Sequence, residues 1–278
     1  MDRYAVFGYP IKHSLSPVIH QAFAASLGHH LIYEKKEIAV SDFPLAVESF
    51  FSSDGCGLNI TLPFKEVAFN LAKKLSVRAQ RAGAVNTFCL TASGELYGDN
   101  TDGAGFIQDL CVNHQQSLKG KNIFILGAGG AVRGVLEPIL IESPKNVFIY
   151  NRTREKACDL VNLFRSDFSQ VFLVEPEQVF DFCQNNAIDY LINGTSMGVV
   201  AEDVILPFSS LAGDPFCYDL VYSRSQTGFL KACQGMGAKK GCDGLGMLVE
   251  QAAEAFLLWR GVRPETLPVI EQLRASFS

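Results

Sequence analysis

Lys65 and Asp102 are residues of the types that carry out acid–base chemistry. Lys65 follows the carboxyl end of a predicted strand, and Asp102 opens a predicted helix. A lysine ammonium held beside a substrate can donate a proton to a forming alkoxide, and such transfer contributes about 10²- to 10⁴-fold to a rate. The local sequence leaves an alternative, because an Asp at a helix start is also a common N-cap.

Other polar residues occupy similar positions beside predicted strands. Ser14 and Ser16 follow the first strand, Thr61 ends the third, and Asn86 lies near the start of the fourth. Ligands of open α/β sheets bind outside the carboxyl ends of strands, so we expect these side chains to converge on one pocket for a small polar molecule. Ser16, which is followed by Pro17, also has the sequence of a helix N-cap.

A glycine-rich turn follows the apolar run 122–126. It consists of Gly127, Ala128, Gly129, Gly130 and Ala131. A strand, a glycine turn and a helix in this order are the context of a dinucleotide site, in which Gly127 permits the tight turn and Gly129 leaves room for a pyrophosphate. Val132 stands where that pattern has a third small residue, so we expect Gly130 and Ala131 to supply the close packing. A purely structural turn is the alternative.

The end of the next predicted strand, 147–150, indicates which dinucleotide binds. An NAD enzyme usually has an acidic residue there for the ribose hydroxyls, whereas this chain has Asn151, Arg152, Thr153 and Arg154. Each charge-assisted hydrogen bond to a 2′-phosphate is worth about 1.5–3 kcal/mol, so we expect a preference for NADP over NAD of about 10- to 100-fold. Two solvated arginines are the alternative, although a cation at a helix start opposes the helix dipole.

The composition argues against several other classes of protein. The net charge of −5 over 278 residues makes nucleic acid or an anionic membrane an unsuitable main partner. No run of residues is apolar enough to span a membrane, and the first eight residues are too short an apolar region for a signal peptide. The eight cysteines form no Cys-x-x-Cys pair and show no zinc-ligand spacing with the five histidines. We therefore expect a cytoplasmic protein without a metal site or disulfide framework.

Short apolar runs alternate with helix-length amphipathic stretches along the chain, which predicts an α/β fold with largely parallel sheets. The first series of predicted strands is 4–7, 32–38, 58–61 and 84–90. The second series is 122–126, 147–150, 171–174, 190–193 and 218–221. The apolar helix predicted from Leu245 through Leu257 needs a partner surface, and we expect it to return to the first domain.

The ordered motifs of the chain resemble those of the shikimate dehydrogenase family over nearly the whole length. They are Ser14-Leu15-Ser16-Pro17, 59–65, 83–87, 98–103, 127–131, Asn151-Arg152-Thr153, Asn193-Gly194-Thr195-Ser196, 243–248 and Gln251. The resemblance implies NADP-dependent interconversion of 3-dehydroshikimate and shikimate in aromatic amino-acid (chorismate) biosynthesis. Two positions depart from the family pattern, since Val77 replaces a frequent acidic residue and Gly194 replaces the more usual alanine.

The resemblance also implies roles for individual residues. Those expected to hold the substrate are Ser14, Ser16 and Tyr222 at its carboxylate, Thr61, Asn86 and Gln251 at its ring and hydroxyls, and Lys65 and Asp102 at the hydroxyl that is oxidised. Those expected at NADP are Gly127, Ala128, Gly129, Gly130, Ala131, Asn151, Arg152, Thr153, Arg154, Thr195, Leu220 and Gly244, the last beside the nicotinamide.

The implied architecture has two α/β domains. Residues 1–104 and 242–278 would form a substrate-binding domain with a mixed, mostly parallel sheet, and residues 105–241 a Rossmann-type NADP-binding domain. We expect the active site in the cleft between them, with closure over the bound pair. The sequence leaves the oligomeric state open, with a homodimer as one alternative.

Three other functions fit parts of the pattern. A quinate/shikimate dehydrogenase would use NAD as well as NADP, which Arg152 and Arg154 argue against. An NADP-sensing regulator would keep the glycine turn but would not need Lys65 and Asp102. A methylenetetrahydrofolate dehydrogenase shares the two-domain plan and would bind folate analogues tightly.

Overall fold

The computed structural model of the chain describes residues 1–195 and 205–277. The chain folds into two units: unit 1 comprises Met1–Gly105 and Leu248–Ala275, and unit 2 comprises Phe106–Met247 with the C-terminal residues from Ser276. Among the described residues, no helix has the length and apolar character needed to cross a membrane.

Strands and helices alternate through most of the chain, as the sequence pattern predicts. The strands are β1 Asp2–Gly8, β2 Leu31–Glu37, β3 Gly55–Ile60, β4 Lys74–Leu75, β5 Thr87–Leu90, β6 Leu96–Asp99, β7 Asn122–Leu126, β8 Asn146–Tyr150, β9 Val171–Leu173, β10 Tyr190–Asn193, β11 Phe216–Asp219 and β12 Lys240–Asp243. The helices are α1 Ser16–Ser26, α2 Phe43–Ser52, α3 Lys65–Leu71, α4 Val77–Ala82, α5 Asp102–Ile107, α6 Gly130–Ile141, α7 Arg154–Arg165, α8 Val179–Asn185, α9 Gly228–Gly235, α10 Leu245–Arg260 and α11 Leu267–Ala275.

The sheet of unit 1 is mixed, with the strand order β2-β1-β3-β5-β6-β4. β1 is parallel to both β2 and β3, whereas β5 is antiparallel to β3 and β6. The strand order reverses at β1, because the next two strands of the chain, β2 and β3, lie on opposite sides of it. Such a switch point opens a crevice at the carboxyl ends of the strands, and the loops that follow β1 and β3 meet there, with Tyr9 N–H donating to Leu62 O at 2.9 Å.

The sheet of unit 2 is parallel throughout, with the order β12-β11-β10-β7-β8-β9. Read from β9, this is the 3-2-1-4-5-6 order of a Rossmann fold, whose switch point lies between β7 and β10. The bounds predicted for β7 and β10 are confirmed. The predicted strand 218–221 is wrong by two residues: β11 ends at Asp219, whose carboxylate accepts a hydrogen bond from the Val221 N–H at 3.1 Å and so turns the chain.

The last long helix packs on unit 1, as expected from its apolar sequence. The Phe256 ring lies 5.9 Å from the Phe23 ring of α1, and Trp259 Nε1 donates to Phe88 O at 3.0 Å. The chain re-enters unit 1 at Leu248 rather than at the predicted residue 242. The reason is β12, a polar edge strand that the apolar pattern missed and that pairs with β11.

The helix predicted around Phe106 changes its geometry along its length. α5 ends at Ile107, and residues Gln108–Asn113 continue as a π-helical segment. The backbone N–H of His114 accordingly bonds to Asp109 O, five residues earlier, at 3.0 Å. π-Segments are rare and are frequent at functional sites.

Candidate active site

Lys65 and Asp102 form an ion pair in which Lys65 Nζ lies 2.5 Å from Asp102 Oδ2. Each is the first residue of its helix, α3 and α5 respectively. Their side chains are 16% and 6% exposed, so the pair is largely removed from water and its attraction is less screened than at a surface. The Asp102 carboxylate therefore holds the Lys65 ammonium, so Asp102 does more than stand at the start of α5.

Asn86 connects this pair to neighbouring segments. Its Nδ2 donates to Asp102 Oδ1 at 2.8 Å and to Thr101 Oγ1 at 2.9 Å. Its Oδ1 accepts from the Thr101 N–H and from the Thr87 hydroxyl, both at 2.9 Å. Asn86 is 2% exposed, and a buried amide with partners on both ends is fixed in orientation. Asn86 thus fixes the second oxygen of the Asp102 carboxylate. The strand predicted over 84–90 begins only at Thr87, so Asn86 directly precedes β5 instead of lying within it.

The segment that leads to Asp102 is fixed by groups that the sequence analysis missed. Asp99 accepts from Arg78 Nε at 2.7 Å and Nη2 at 2.6 Å, and from the Ser76 hydroxyl at 2.5 Å. Burial raises the pKa of Asp99, but the hydrogen bonds and charge of Arg78 outweigh it and leave the pKa below its usual value. Asn100 Oδ1 then accepts from the Asp102 N–H at 3.1 Å. The feature of the sequence that could have identified Asp99 was the presence of an acidic residue there, within the polar run 98–103.

Ser14 and Ser16 follow the carboxyl end of β1, and Thr61 follows that of β3. Ser14 Oγ is 3.2 Å from Ser16 Oγ and accepts from the Ser16 N–H at 3.3 Å. Thr61 is fixed by its N–H, which donates to Phe7 O at 3.0 Å. The prediction that Ser16 caps α1 is wrong, because Ser16 is already helical and Leu15 occupies the N-cap without a side-chain bond. The Ser16 hydroxyl pairs with Ser14 instead.

Two predicted substrate residues come from the second half of the chain. Gln251 lies on α10, with its Oε1 3.3 Å from Asn86 Nδ2 and 3.4 Å from Thr101 Oγ1. The structure therefore brings Gln251 to the Lys65–Asp102 network. Tyr222 follows β11 in unit 2 and is half-buried, and its place at a substrate carboxylate stays a prediction.

The glycine turn joins β7 to α6. Gly127 has φ +109°, and a Cβ there would lie 3.0 Å from the Gly194 backbone, so both conformation and space require glycine. Gly129 is the N-cap of α6 without a capping side chain, and a Cβ at Gly129 or Gly130 would meet no atom of the described residues within 4 Å. Ala128 is buried and Ala131 half-buried. The space beside Gly129 and Gly130 is therefore open among the described residues, and the first backbone N–H groups of a helix have no partner within it, which suits a pyrophosphate.

Val132 departs from the dinucleotide pattern and Gly194 from the family pattern, and the proximity of the two residues explains both departures. A Cβ at Gly194 would lie 2.2 Å from Val132 Cγ2, and Val132 is fully buried. The larger residue at 132 is therefore accommodated by the smaller residue at 194. Gly130 does not supply the close packing expected of it, because a Cβ there would meet no atom of the described residues within 4 Å.

The two arginines predicted to bind a 2′-phosphate have different surroundings. Arg154 Nε and Nη2 bond to the two carboxylate oxygens of Glu175 at 2.6 and 2.7 Å. Arg152 is exposed, and within residues 1–195 and 205–277 its side chain makes no hydrogen bond or ion pair. Asn151 Nδ2 donates to Thr153 O at 2.7 Å and shapes the turn. Only Arg152 therefore presents an unengaged cation, whereas both arginines were expected to do so.

The remaining residues predicted to contact the cofactor follow the ends of three adjacent strands of unit 2. Asn193 Oδ1 accepts from the Thr195 N–H at 3.1 Å and from its hydroxyl at 2.7 Å. A Cβ at Gly244 would lie 2.4 Å from Leu220 O, so only glycine permits this approach of the two chain segments. Ser196, the last residue of its motif, lies outside the described residues.

Asp219 supports Thr195 through Asn193, and the sequence analysis missed it. Asn193 Nδ2 donates to Asp219 Oδ1 at 2.9 Å. Asp219 is 1% exposed, and burial raises its pKa to about 6 against the opposing hydrogen bonds. A carboxylate at the end of an apolar strand was the signal that could have identified it.

Comparison with known proteins finds matches along the chain. Residues 6–88 match the family profile described as shikimate dehydrogenase substrate binding domain, residues 109–183 that of shikimate / quinate 5-dehydrogenase, and residues 244–274 that of shikimate 5'-dehydrogenase C-terminal domain. Shikimate dehydrogenase (NADP(+)) of Alkalilimnicola ehrlichii is 50% identical over 273 residues, 98% of each chain. That of Hahella chejuensis is 47% identical over 274 residues, 99% of each chain.

A solved structure extends this similarity to the fold. The crystal structure of shikimate 5-dehydrogenase from Thermus thermophilus in complex with NADP(H) and shikimate has a TM-score of 0.85 to this chain at 32% identity. The match covers 99% of this chain and 100% of the other.

Proposed function

Since the chain belongs to the shikimate dehydrogenase family, we propose that it catalyses the reversible, NADP-dependent reduction of 3-dehydroshikimate to shikimate in aromatic amino-acid biosynthesis. The observation that carries the proposal is the shielded Lys65–Asp102 pair, in which Lys65 Nζ lies 2.5 Å from Asp102 Oδ2. Unit 1 is assigned the substrate and unit 2 the cofactor.

The proton that the reduction requires comes from Lys65 in this proposal. NADPH, when bound to unit 2, would supply the hydride for this reduction. Lys65 Nζ donates a proton to the oxygen that becomes the hydroxyl, and in the oxidation it takes that proton back. Asp102 fixes the ammonium, and Asn86 fixes Asp102.

The polar groups around this pair bind the rest of the substrate. Thr61, Asn86 and Gln251 contact the ring and its hydroxyls, since hydroxyl and amide groups both donate and accept hydrogen bonds. Ser14 and Ser16 donate to the carboxylate, with Tyr222 also assigned to it. The 3.2 Å contact between the two serine hydroxyls places them close enough for one carboxylate to accept from both.

The surface of unit 2 fits a dinucleotide with a 2′-phosphate. Within the turn from Gly127 to Ala131, Gly129 and Gly130 leave space at the start of α6, whose first N–H groups suit the pyrophosphate. Arg152, with Asn151 and Thr153 beside it, is assigned the 2′-phosphate. Arg154 contributes less, because Glu175 already occupies its guanidinium. Thr195, Leu220 and Gly244 are assigned to the nicotinamide side.

A dehydrogenase assay tests the function directly. The purified chain is given shikimate or quinate, each with NADP or NAD, and the absorbance of the reduced nicotinamide is followed. We expect rapid reduction of NADP by shikimate and slow reduction in the other three combinations. Comparable rates with NAD or quinate would instead indicate a quinate/shikimate dehydrogenase, and no turnover in any combination would refute the proposed activity.

Two further assignments complete the proposal. The eight dispersed cysteines support a reducing, cytoplasmic location, which fractionation of the source cells tests. The homodimer raised from the sequence is tested by light scattering on the purified chain, where the mass of one chain or two decides.

A further inference from the structure

Unit 2 contains a cluster of metal-ligating side chains that the proposed reaction does not use. One ligand atom each from Asp109, His114 and Cys242 lies within 4.8 Å of the others. His114 Nε2 is 3.7 Å from Asp109 Oδ2. Carboxylate, imidazole and thiolate groups together are ligands that zinc accepts.

The π-helical segment explains how two of these residues meet. Residues five apart on an α-helix point about 140° away from each other, since each residue turns the helix by about 100°. The bond from His114 N–H to Asp109 O spans five residues and widens this turn, which brings the two side chains to one side. This is why the spacing of these residues gave no metal signal in the sequence.

The third ligand comes from the edge of the sheet. Cys242 lies on β12 and is paired in register with Tyr218 of β11. The Tyr218 hydroxyl donates to Asp109 Oδ2 at 2.6 Å, and Asn113 Nδ2 donates to Asp109 Oδ1 at 3.0 Å. Both bonds orient a carboxylate that is 1% exposed, as the outer partners of a metal ligand do.

The geometry points to a site for a divalent zinc-like ion, and we propose that Asp109, His114 and Cys242 bind Zn²⁺ with a fourth position left to water. Tetrahedral zinc with bonds of about 2.0–2.3 Å separates its ligand atoms by about 3.3–3.6 Å. The separation of His114 and Asp109 nearly meets this, and Cys242 Sγ, which lies within 4.8 Å of both ligand atoms, would approach them by about 1 Å at most to meet it. The partly exposed His114 gives the ion a path from solvent.

The position of the cluster in the chain gives the site a structural consequence. Asp109 lies seven residues after Asp102, and Cys242 lies two residues before Gly244. The chain passes between the units at 105–106 and at 247–248, so Asp109 lies shortly after the first crossing and Cys242 shortly before the second. A bound ion would therefore link two stretches of unit 2 that lie next to these crossings in the sequence.

Cobalt titration of the full chain tests the site, because Co²⁺ replaces Zn²⁺ and its absorption reports thiolate ligation and tetrahedral geometry. We expect one equivalent of Co²⁺ to give a thiolate charge-transfer band with intense visible bands, and Zn²⁺ to abolish them by competition. Cys242→Ser should remove the charge-transfer band, and His114→Gln should weaken binding by about 100-fold.

Two cysteine variants serve as matched controls. Cys56 is exposed on β3 of unit 1, and Cys111 lies in the π-segment, where burial raises the pKa of its thiol to about 11. Cys56→Ser and Cys111→Ser should leave the Co²⁺ spectrum unchanged. Tyr218→Phe keeps all three ligands but should lower the affinity by about 10- to 100-fold through loss of orientation.

Three results would overturn the assignment. The first is the absence of a thiolate band in the wild-type chain, and the second is a band that survives Cys242→Ser. The third is a band that disappears in Cys56→Ser or Cys111→Ser. Far-ultraviolet circular dichroism of each variant shows that the fold is intact, so that a lost band reports the ligand.

Discussion

In unit 1, Lys65, Asp102 and Asn86 are held by side-chain hydrogen bonds of 2.5–2.9 Å. In unit 2, Gly129 and Gly130 face open space and Arg152 is exposed without a partner among the described residues. The candidate substrate residues are thus held by hydrogen bonds to one another. The candidate cofactor surface instead consists of glycines, which have no side chain, and of backbone N–H donors.

This difference follows from the chemistry of each half. A proton donor must be held at a defined point, because a small displacement costs much of its effect. A pyrophosphate needs several N–H donors and close approach, which glycines at a helix start supply without side chains. The comparison predicts that polar substitutions in unit 1 change turnover, while steric and charge substitutions in unit 2 change cofactor affinity.

Asp102→Asn tests the side-chain network of unit 1. Loss of the negative charge releases the Lys65 ammonium from its fixed position, so turnover should fall by about 100-fold or more. Initial rates with shikimate and NADP measure this effect. The control is Asp42→Asn, an exposed carboxylate of unit 1, which should turn over like the wild type. An Asp102→Asn variant with wild-type turnover would contradict the prediction that polar substitutions in unit 1 change turnover.

Gly129→Ala tests the open space in the cofactor turn. The new methyl group meets no atom of the described residues within 4 Å, so thermal stability should be unchanged. It takes up space next to the pyrophosphate, so the KM for NADP should rise by about 10-fold or more. Gly235→Ala on α9, which is equally uncrowded, is the matched control. An unchanged KM for NADP in Gly129→Ala would place the pyrophosphate elsewhere.

The two arginines should differ in their effect on cofactor choice. Arg152→Gln should raise the KM for NADP by about 10-fold and leave the KM for NAD unchanged, because only NADP has the 2′-phosphate. Arg154→Gln should have a smaller effect, since its guanidinium is bound to Glu175. Parallel measurements with both cofactors decide this, and the opposite ranking would contradict the assignment of the phosphate to Arg152.

Asp219→Asn should change the pH dependence of stability. Because the pKa of Asp219 is raised from 3.8 to about 6 in the folded protein, the folded state retains the proton and stability falls as the pH rises from about 4 to 6. Asn removes this loss, so the variant should gain up to about 2 kcal/mol relative to the wild type between pH 4 and pH 7. Urea unfolding at several pH values measures the gain. A stability difference that does not vary with pH would contradict the role of burial.

The sequence predicted the regular parts of the fold because periodicity is a local signal. β7 and β10 are apolar runs and were predicted with the correct bounds. β12 was missed because it contains Lys240, Gly241 and Asp243, and only its pairing with β11 makes it a strand. Because β12 belongs to unit 2, the boundary between the units lies after Met247 rather than at the predicted residue 242.

The candidate site was predictable by residue type but not by contact. Residue type and position indicated Lys65 and Asp102, the family resemblance implied Gln251, and the structure brings the three into one network. It could not reveal that Glu175 engages Arg154, because the two residues meet only through packing of adjacent segments. The fit of Val132 against Gly194 was hidden for the same reason, since it depends on neighbouring turns in space.

The most direct test of the whole account is Lys65→Met, measured for both NADP affinity and turnover of shikimate. Methionine retains the apolar stem and removes the ammonium. We predict that the dissociation constant for NADP stays at the wild-type value while turnover falls by about 10²- to 10⁴-fold. Turnover near the wild-type rate, or a loss of NADP affinity as large as the loss of turnover, would contradict the assignment of proton transfer to Lys65.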